Sequence, residues 1–487
     1  MSIICGVYFL IKTGKIMARQ IALEFASNED VIYTARAGLV PINEIAKKLK
    51  LPKAINDACS GVRDERYTTY RSSELVLFRV YGHLAGLHRV DQVLKSAEFP
   101  FLAKLAGLDK AKPVDTTFGR FYEGFAEDQI RNLQRLNFNL ATRKVIEVSG
   151  FRILVHDQSA IQKYGSKMEG VEKGYGGTLK RGAKMLQASM IVDAGMNTIP
   201  RLEICVGARH SNFNATAELG EVLEQMPKAQ PGKVLVLGDS AYGIGDYMRK
   251  CDEYNANFIL AVKNDKWMKA ELEVLDFKRF KPGKDAPDYG YREFVADRDV
   301  WNSSEGNELF GDSWEGARRV VVVRLPAKTG EDTRYQFLVT TLPAEKYAAE
   351  DVHALYRKNR EAIEQVNNEI KNQLGLTELP SHELDANRAI AQVVALAWNL
   401  QRHVEHVGMA SERRDEAVRR AHFKIPKSRK LQRRYEWWTL FVRFITIGGK
   451  VKVGGNKTRV IVGNCESTKR WLAELMAFDW SAYALAR

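Results

Sequence analysis

The sequence predicts an α/β protein: a mixed sheet flanked by helices, preceded by an α-helical N-terminal domain and interrupted by a β-rich insertion. Three observations carry that reading. Residues from about 40 to 150 repeat apolar positions at helical spacing and contain no β-rich run. From Phe151 the texture changes to short apolar runs bounded by turn residues, which then alternate with helical stretches. Between Asp265 and Glu345, clusters of Gly, Asp and Pro separate "YGYREFVADRDVW", "ARRVVVVRLPA" and "RYQFLVTTL", three runs of β character.

Each element has a local cause. "PINEIAKKLK" sets Ile42, Ile45 and Leu49 on one helix face, and "SSELVLFRVYGHLAGL" opens on a serine cap and continues with Leu75, Phe78 and Leu84. Asp115, Thr116 and Thr117 are cap candidates for the helices that follow. This region reads either as a DNA-binding module or as a plain helical domain. "FRILVHD", "MLQASMIVDA" and "RLEICVGA" are three strands, the last two joined by the turn-like "GMNTIP". "NATAELGEVLEQM" is a helix, "KVLVLGD" a fourth strand, "GIGDYMRKCDEY" a helix and "NFILAVK" a fifth strand. A hairpin-rich start followed by a βαβαβ run gives a mixed sheet with helices on its faces. Helices resume in "REAIEQVNNEIKNQLG" and "DANRAIAQVVALAWNLQRHV", and the stretch from Lys424 to Val462 is basic and strand-like at its end.

The expected boundaries are an upstream extension at 1–16, a helical N-terminal domain at 17–148, a catalytic domain at 149–264 and 346–410, the β insertion at 265–345 and a basic C-terminal region at 411–487. Met17 opens an ordinary-looking beginning, so residues 1–16 are left out of the fold reading. A chain of 487 residues exceeds one ordinary domain. Its net charge of +14 calls for a polyanionic partner, either nucleic acid or an anionic membrane surface.

Five scattered cysteines without a C-x-x-C pair indicate neither a zinc site nor a disulfide framework, which fits a reducing cytosol. No apolar run is long enough to span a bilayer. There is no phosphate-binding loop of the G-x-x-x-x-G-K-[ST] type. "GDSAYG" is not a hydrolase elbow around Ser240, because Tyr242 stands where the motif needs glycine.

The chemistry lies in carboxylates. Asp157 falls near the end of the first strand and Asp239 at the end of the fourth, strands that would be neighbours at the sheet centre. Two carboxylates so placed repel unless a cation lies between them. Mg²⁺ is the natural choice, being hard and oxygen-loving, with Mn²⁺ as a substitute. Two such ions about 3.5–4 Å apart can activate a nucleophile and stabilise the leaving oxygen of a phosphodiester. A third acid is expected from "YRKNREAIEQVNNEIKNQLG", which offers Glu361, Glu364 and Glu369; Arg360, Glu364 and Lys371 share one helix face. An exposed helix laced with ion pairs would look the same in isolation.

"VLVLGDSAYG", "HDQSAIQKYG" and the Arg360–Glu364–Lys371 spacing resemble the DDE transposases of bacterial insertion sequences, in the branch with a β insertion between the second and third acids. The resemblance runs from about Asp115 to His403, supported by "DTTFGRFYE", "GARHSNFNA" and "LPSHELDANRAIAQVVALAWNL". Tyr356 stands one residue further from the arginine than the branch's pattern has it. The resemblance implies an RNase-H-like core, with Asp157, Asp239 and Glu364 as the metal site. It implies that Arg360 and Lys371, with Tyr356 beside them, contact DNA near the element's ends. The implied chemistry is hydrolysis at those ends and attack of the freed 3′-hydroxyl on target DNA, by a homodimer in the DNA complex.

A basic, glycine-interleaved loop carrying Lys173, Lys180, Arg181 and Lys184 would follow a DNA backbone or be a solvated loop. Trp267, Trp301 and Trp314 of the insertion are base-stacking candidates, core packing being the ordinary fate of such residues. His156 and His210 read as ordinary hydrogen-bonding histidines. The expected location is the cytoplasm, at the nucleoid, with no membrane partner. A nuclease that cuts without joining, and a catalytically silent DNA-binding regulator, are the rival readings.

Overall fold

The computed structural model describes residues 3–9, 17–23, 31–108, 111–165, 167–174, 182–210, 212–226, 232–263, 281–283, 288–296, 317–326, 334–409, 440–454, 457–462, 466–480 and 485. At the start, β1 (Ile3–Phe9) pairs antiparallel with β2 (Met17–Leu23), so a strand occupies part of the segment left out of the sequence reading. β3 (Val31–Thr34) leads into a helical layer: α1 (Leu39–Lys48), α2 (Leu51–Ala58), α3 (Ser72–Leu84), α4 (Val90–Lys95), α5 (Phe99–Ala106), α6 (Asp115–Glu123) and α7 (Glu127–Ala141). α3 is buried almost all round, as a helix must be when it sits inside a bundle.

The sheet core reproduces the order read from the sequence. β4 (Arg152–Gln162) lies at the centre, antiparallel to β6 (Lys184–Asp193), which pairs with β7 (Thr198–Val206) and with the short β5 (Glu172–Lys173). On its other side β4 runs parallel to β8 (Val234–Gly238), and β8 parallel to β9 (Asn257–Val262). α8 (Ala215–Gln225) and α9 (Gly245–Glu253) make the crossovers. Three antiparallel strands followed by two parallel ones, in the order β7-β6-β4-β8-β9, is the RNase-H-like arrangement.

The described part of the insertion continues this sheet. β10 (Lys281–Pro282), β11 (Gly290–Ala296), β12 (Arg318–Arg324) and β13 (Tyr335–Thr340) add as an antiparallel meander, β13 pairing with β9 through Leu338↔Ala261.

Strand alternation sorts the side chains into two cores. Ile153 and Val155 of β4 and Leu235 and Leu237 of β8 join the core beneath the helical layer. Leu154, Val234 and Val236 join the core beneath α8 and α9. The first core is closed by the site helix (Ala349–Asn368), which buries Val352, Leu355, Tyr356, Ile363 and Val366 and runs into a π-helical turn at Glu369–Gln373.

It is also closed by the long helix (Leu384–Gly408), whose buried amides have a definite task. β7 pairs with β6 on one side, so its other edge needs partners. Asn399 supplies two: Ile199 N–H donates to its Oδ1 at 2.7 Å, and its Nδ2 donates to Ile199 O at 2.9 Å. Gln392 Nε2 donates to Leu202 O at 2.9 Å, and Trp398 Nε1 to Asn197 O at 2.7 Å.

The C-terminal region returns to the beginning of the chain. β14 (Gly449–Gly454) pairs with β15 (Lys457–Val462) and with β3. Trp471 of the C-terminal helix (Glu466–Ala477) stacks on Phe444 at 5.0 Å, and Leu485 N–H donates to Leu49 O at 2.8 Å. Among the described residues no helix is long and apolar enough to cross a membrane.

Two buried histidines make this packing acid-sensitive. Burial pushes His403, hydrogen-bonded to Leu140 O, down to about 4. Burial, with the nearby Arg357 charge, does the same to His353, which pairs with Tyr291 Oη. Both folded-state values lie below the ordinary 6.5, so the unfolded chain takes up these protons first. The stability they contribute is present above pH 6.5 and lost as pH falls toward 4, by on the order of 3 kcal/mol each. The urea midpoint is expected to drop between pH 7 and 5, and His403→Gln to shrink the drop; a midpoint flat with pH contradicts the assignment.

Candidate active site

The site begins with register. β4 and β8 run parallel, with His156 opposite Gly238. The next residues are Asp157 and Asp239, which therefore stand abreast. Alternation places both on the face of Ile153, Val155, Leu235 and Leu237, the face covered by the site helix. Gly238 has a steric reason: a Cβ there would lie 2.7 Å from Tyr242 Cβ, and Tyr242 must fold back for the turn that ends β8.

Asp239 serves that turn with one oxygen. Its Oδ1 accepts from Ala241 N–H at 2.9 Å, while its backbone carbonyl accepts from Tyr242 N–H at 3.0 Å. Its other oxygen, Oδ2, lies 3.9 Å from Arg360 Nη2. Asp157 is divided in the same way. Its Oδ2 accepts from Asn367 Nδ2 at 2.7 Å, and its Oδ1 lies 3.2 Å from Arg360 Nη1. Burial pushes the Asp157 carboxyl above its usual range; the Arg360 charge opposes that shift and the Asp239 charge adds to it. Arg360, held between two carboxylates, is raised in turn.

The opposite face of β4 is locked by a buried polar network. His156 Nδ1 hydrogen-bonds Tyr247 Oη at 3.0 Å, and its Nε2 lies 3.0 Å from Ser189 Oγ and 3.3 Å from Glu218 Oε2. Ser189 Oγ donates to Glu218 at 2.5 Å, and the His156 ring stacks on Tyr242 at 4.4 Å. His156 is thus the hydrogen-bonding residue expected, and His210 likewise pairs with Asn212 Oδ1 at 2.7 Å.

The structure redistributes the helix residues expected to meet DNA. Arg360 bridges the two aspartates. Lys371, in the π turn, donates from Nζ to Ser159 Oγ at 2.9 Å and to Ala160 O at 2.7 Å, tying the end of the helix to β4. Tyr356 is 6% exposed, and burial pushes its hydroxyl up to about 12, so its ring is core rather than surface. Glu364 lies on the same helix between Arg360 and Asn367 and is exposed; among the described residues it makes no hydrogen bond or ion pair. Asn367 was not singled out from the sequence; the signal was its place seven residues after Arg360, on the same face.

Lys173 is exposed on β5, opposite Lys184 of β6. Lys180 and Arg181 lie outside the described residues, as do Trp267, Trp301 and Trp314.

Among the described residues no three His, Cys, Asp or Glu side chains are arranged to hold a metal ion. The aspartate pair nevertheless fits a hard divalent cation. Each carboxylate has one oxygen tied to the protein and directs the other at one shared positive group, here the guanidinium. Asn367 Oδ1 beside them is a buried oxygen with no hydrogen-bond partner among the described residues.

An RNase-H-like sheet with abreast aspartates at the ends of its central parallel strands defines a class of phosphoryl-transfer enzymes acting on nucleic acid. Residues 16–428 match the family described as "Transposase DDE domain group 1", and the chain belongs to that family. It is a DDE transposase, an enzyme that uses divalent metal ions to cleave DNA and transfer strands. The chain is also similar to the protein in "Cryo-EM structure of piggyBac transposase synaptic complex with hairpin DNA (SNHP)", at 13% identity over 74% of this chain and 75% of that chain, with a TM-score of 0.33. No curated protein sequence matches it.

Lys371→Met tests the anchoring role. Removing two hydrogen bonds from a half-buried ammonium is expected to cost about 1–3 kcal/mol in urea unfolding. A residue that only touched DNA would leave the midpoint unchanged.

Proposed function

We propose that the chain is the transposase of a bacterial insertion sequence, which binds its element's terminal inverted repeats and, as a homodimer on the two ends, cleaves them and joins the freed 3′ ends to target DNA. The observation that carries this reading is the pair Asp157 and Asp239, abreast on the central strands with a shared positive partner. Asp157 and Asp239 are the metal-holding pair, and Glu364, on the helix face between Arg360 and Asn367, is the third acid. Mg²⁺ is the ion this oxygen set suits, with Mn²⁺ as its substitute; when bound it supplies Lewis-acid activation of the attacking oxygen and neutralisation of the leaving one.

The chain's own residues supply alignment. Asn367 fixes the orientation of the Asp157 carboxylate, Ala241 N–H fixes that of Asp239, and Lys371 sets the height of the helix against β4. The net charge of +14, with exposed Lys173 opposite half-buried Lys184 at the start of β6, favours a DNA partner by counter-ion release. The site of action would be the nucleoid in the cytoplasm. The helical layer from α1 to α7 and the basic C-terminal region are the parts available for end recognition.

The test is a strand-transfer assay with Mg²⁺, DNA bearing the sequences that flank the chain's own gene, and a supercoiled target. Joined products are expected. Asp239→Asn should lower cleavage by roughly a hundredfold or more while retaining salt-sensitive DNA binding. Cleavage without joining would make the protein a nuclease, and binding alone a regulator.

A further inference from the structure

We propose that Arg360 is the built-in counter-ion of the aspartate pair: it holds Asp157 and Asp239 ready for a divalent cation and competes with that cation for the same two oxygens. The inference deepens the metal-site reading above and rests on it.

Four observations carry it. The carboxylates stand abreast on neighbouring parallel strands, so their mutual repulsion needs a positive charge between them. Arg360 provides it from a side chain only 15% exposed, with Nη1 at 3.2 Å from Asp157 and Nη2 at 3.9 Å from Asp239.

Each carboxylate is held from behind independently of Arg360. Asn367 Nδ2 grips the far oxygen of Asp157, and Ala241 N–H grips that of Asp239. The two oxygens left over are those that Arg360 meets, so the guanidinium marks a cation position that survives its departure.

The pairing is also loosely made. A guanidinium that grips one carboxylate with two parallel N–H bonds is strongly held. Here each nitrogen meets a different carboxylate, at 3.2 and 3.9 Å, so neither acid receives the paired grip. Charge attraction is the main part of the contact, and a dipositive ion bound to the same oxygens has more of it.

Arg360 is therefore a positioning residue with a cost. It prevents the acid pair from splaying, and it lowers the pair's affinity for metal. A neighbouring arginine shifts the proton affinity of a carboxylate by about one to three logarithmic units. Loss of the same charge is expected to tighten cation binding by at least about tenfold.

The experiment is calorimetric titration of Mn²⁺ into the full chain, without DNA, for wild type, R360Q, R360K, D157N and D239N, with circular dichroism to confirm folding. R360Q should bind Mn²⁺ about tenfold or more tightly than wild type. Its thermal midpoint should be lower without Mn²⁺ and rise further on adding it. R360K keeps the charge but cannot span both acids, and should shift affinity the same way by a smaller factor; it carries the test if R360Q does not fold. D157N and D239N should weaken binding. If the arginine variants bind Mn²⁺ no more tightly than wild type while D239N weakens binding, the acids hold metal and the proposed competition is wrong. If neither D157N nor D239N changes binding, the metal-site reading fails, and the proposal with it.

Discussion

The parallel ladder between β4 and β8 governs the rest of the molecule. Its register sets Asp157 beside Asp239 on the face that the helical layer covers. Two acids abreast at the edge of a hydrophobic core are costly unless the covering element brings positive charge. The site helix does so, and its position is correspondingly constrained. Asn367 and Arg360 hold it to Asp157, and Lys371 holds its π turn to Ser159 and Ala160. Just beyond, His83 Nδ1 donates to Leu374 O at 2.9 Å, so the helical layer grips the same segment from α3. The reverse face of β4 is held by the His156–Tyr247–Ser189–Glu218 network, which leaves the strand little freedom to twist its aspartate away.

The long helix resolves a second constraint. Its sequence mixes a strongly apolar pattern with Asn387, Gln392 and Asn399, each buried. Inside a core such amides are expensive unless paired. Gln392 and Asn399 are paired to the backbone of β7, so polarity that would weaken a simple amphipathic helix instead seals the open edge of the sheet. The Arg388 cluster extends this seam, joining Glu203 of β7 to Glu127 of α7, whose carboxyl it holds down at about 2. The helical layer and the catalytic sheet are thereby one packed body along β7.

Much of the core was legible in the sequence because its information is local. The alternation in "RILVHD" and the apolar run in "KVLVLGD" report burial directly, and aspartates at their ends stand out against strand propensity. Long-range pairings leave no such trace. Nothing in "RYQFLVTTL" specifies β9 as its partner, and nothing in "VIYT" specifies the C-terminal strand that joins it. The functional helix was half legible for a related reason. Periodicity names the residues that share a face, but not what the face meets. Arg360 and Lys371 therefore read as DNA contacts, whereas both point into the protein. Asn367 escaped notice because an uncharged amide carries no signal until its carboxylate partner is seen.

The position of Glu364 follows from the same charge balance. Asp157 and Asp239 against Arg360 leave one net negative charge at the ends of β4 and β8, which the Lys371 ammonium near Asp157 partly offsets. Drawing Glu364 inward from solvent would add a second, beside a carboxyl that burial already pushes toward protonation. Arg360 lies between the first two acids only, and Glu364 is exposed to solvent. On the metal-site reading proposed above, a cation of higher charge at those two oxygens would favour a third carboxylate there. If Glu364 is the third acid proposed above, replacing Arg360 by a dipositive ion and turning Glu364 inward would be electrostatically coupled, on a helix that Asn367 and Lys371 hold against β4.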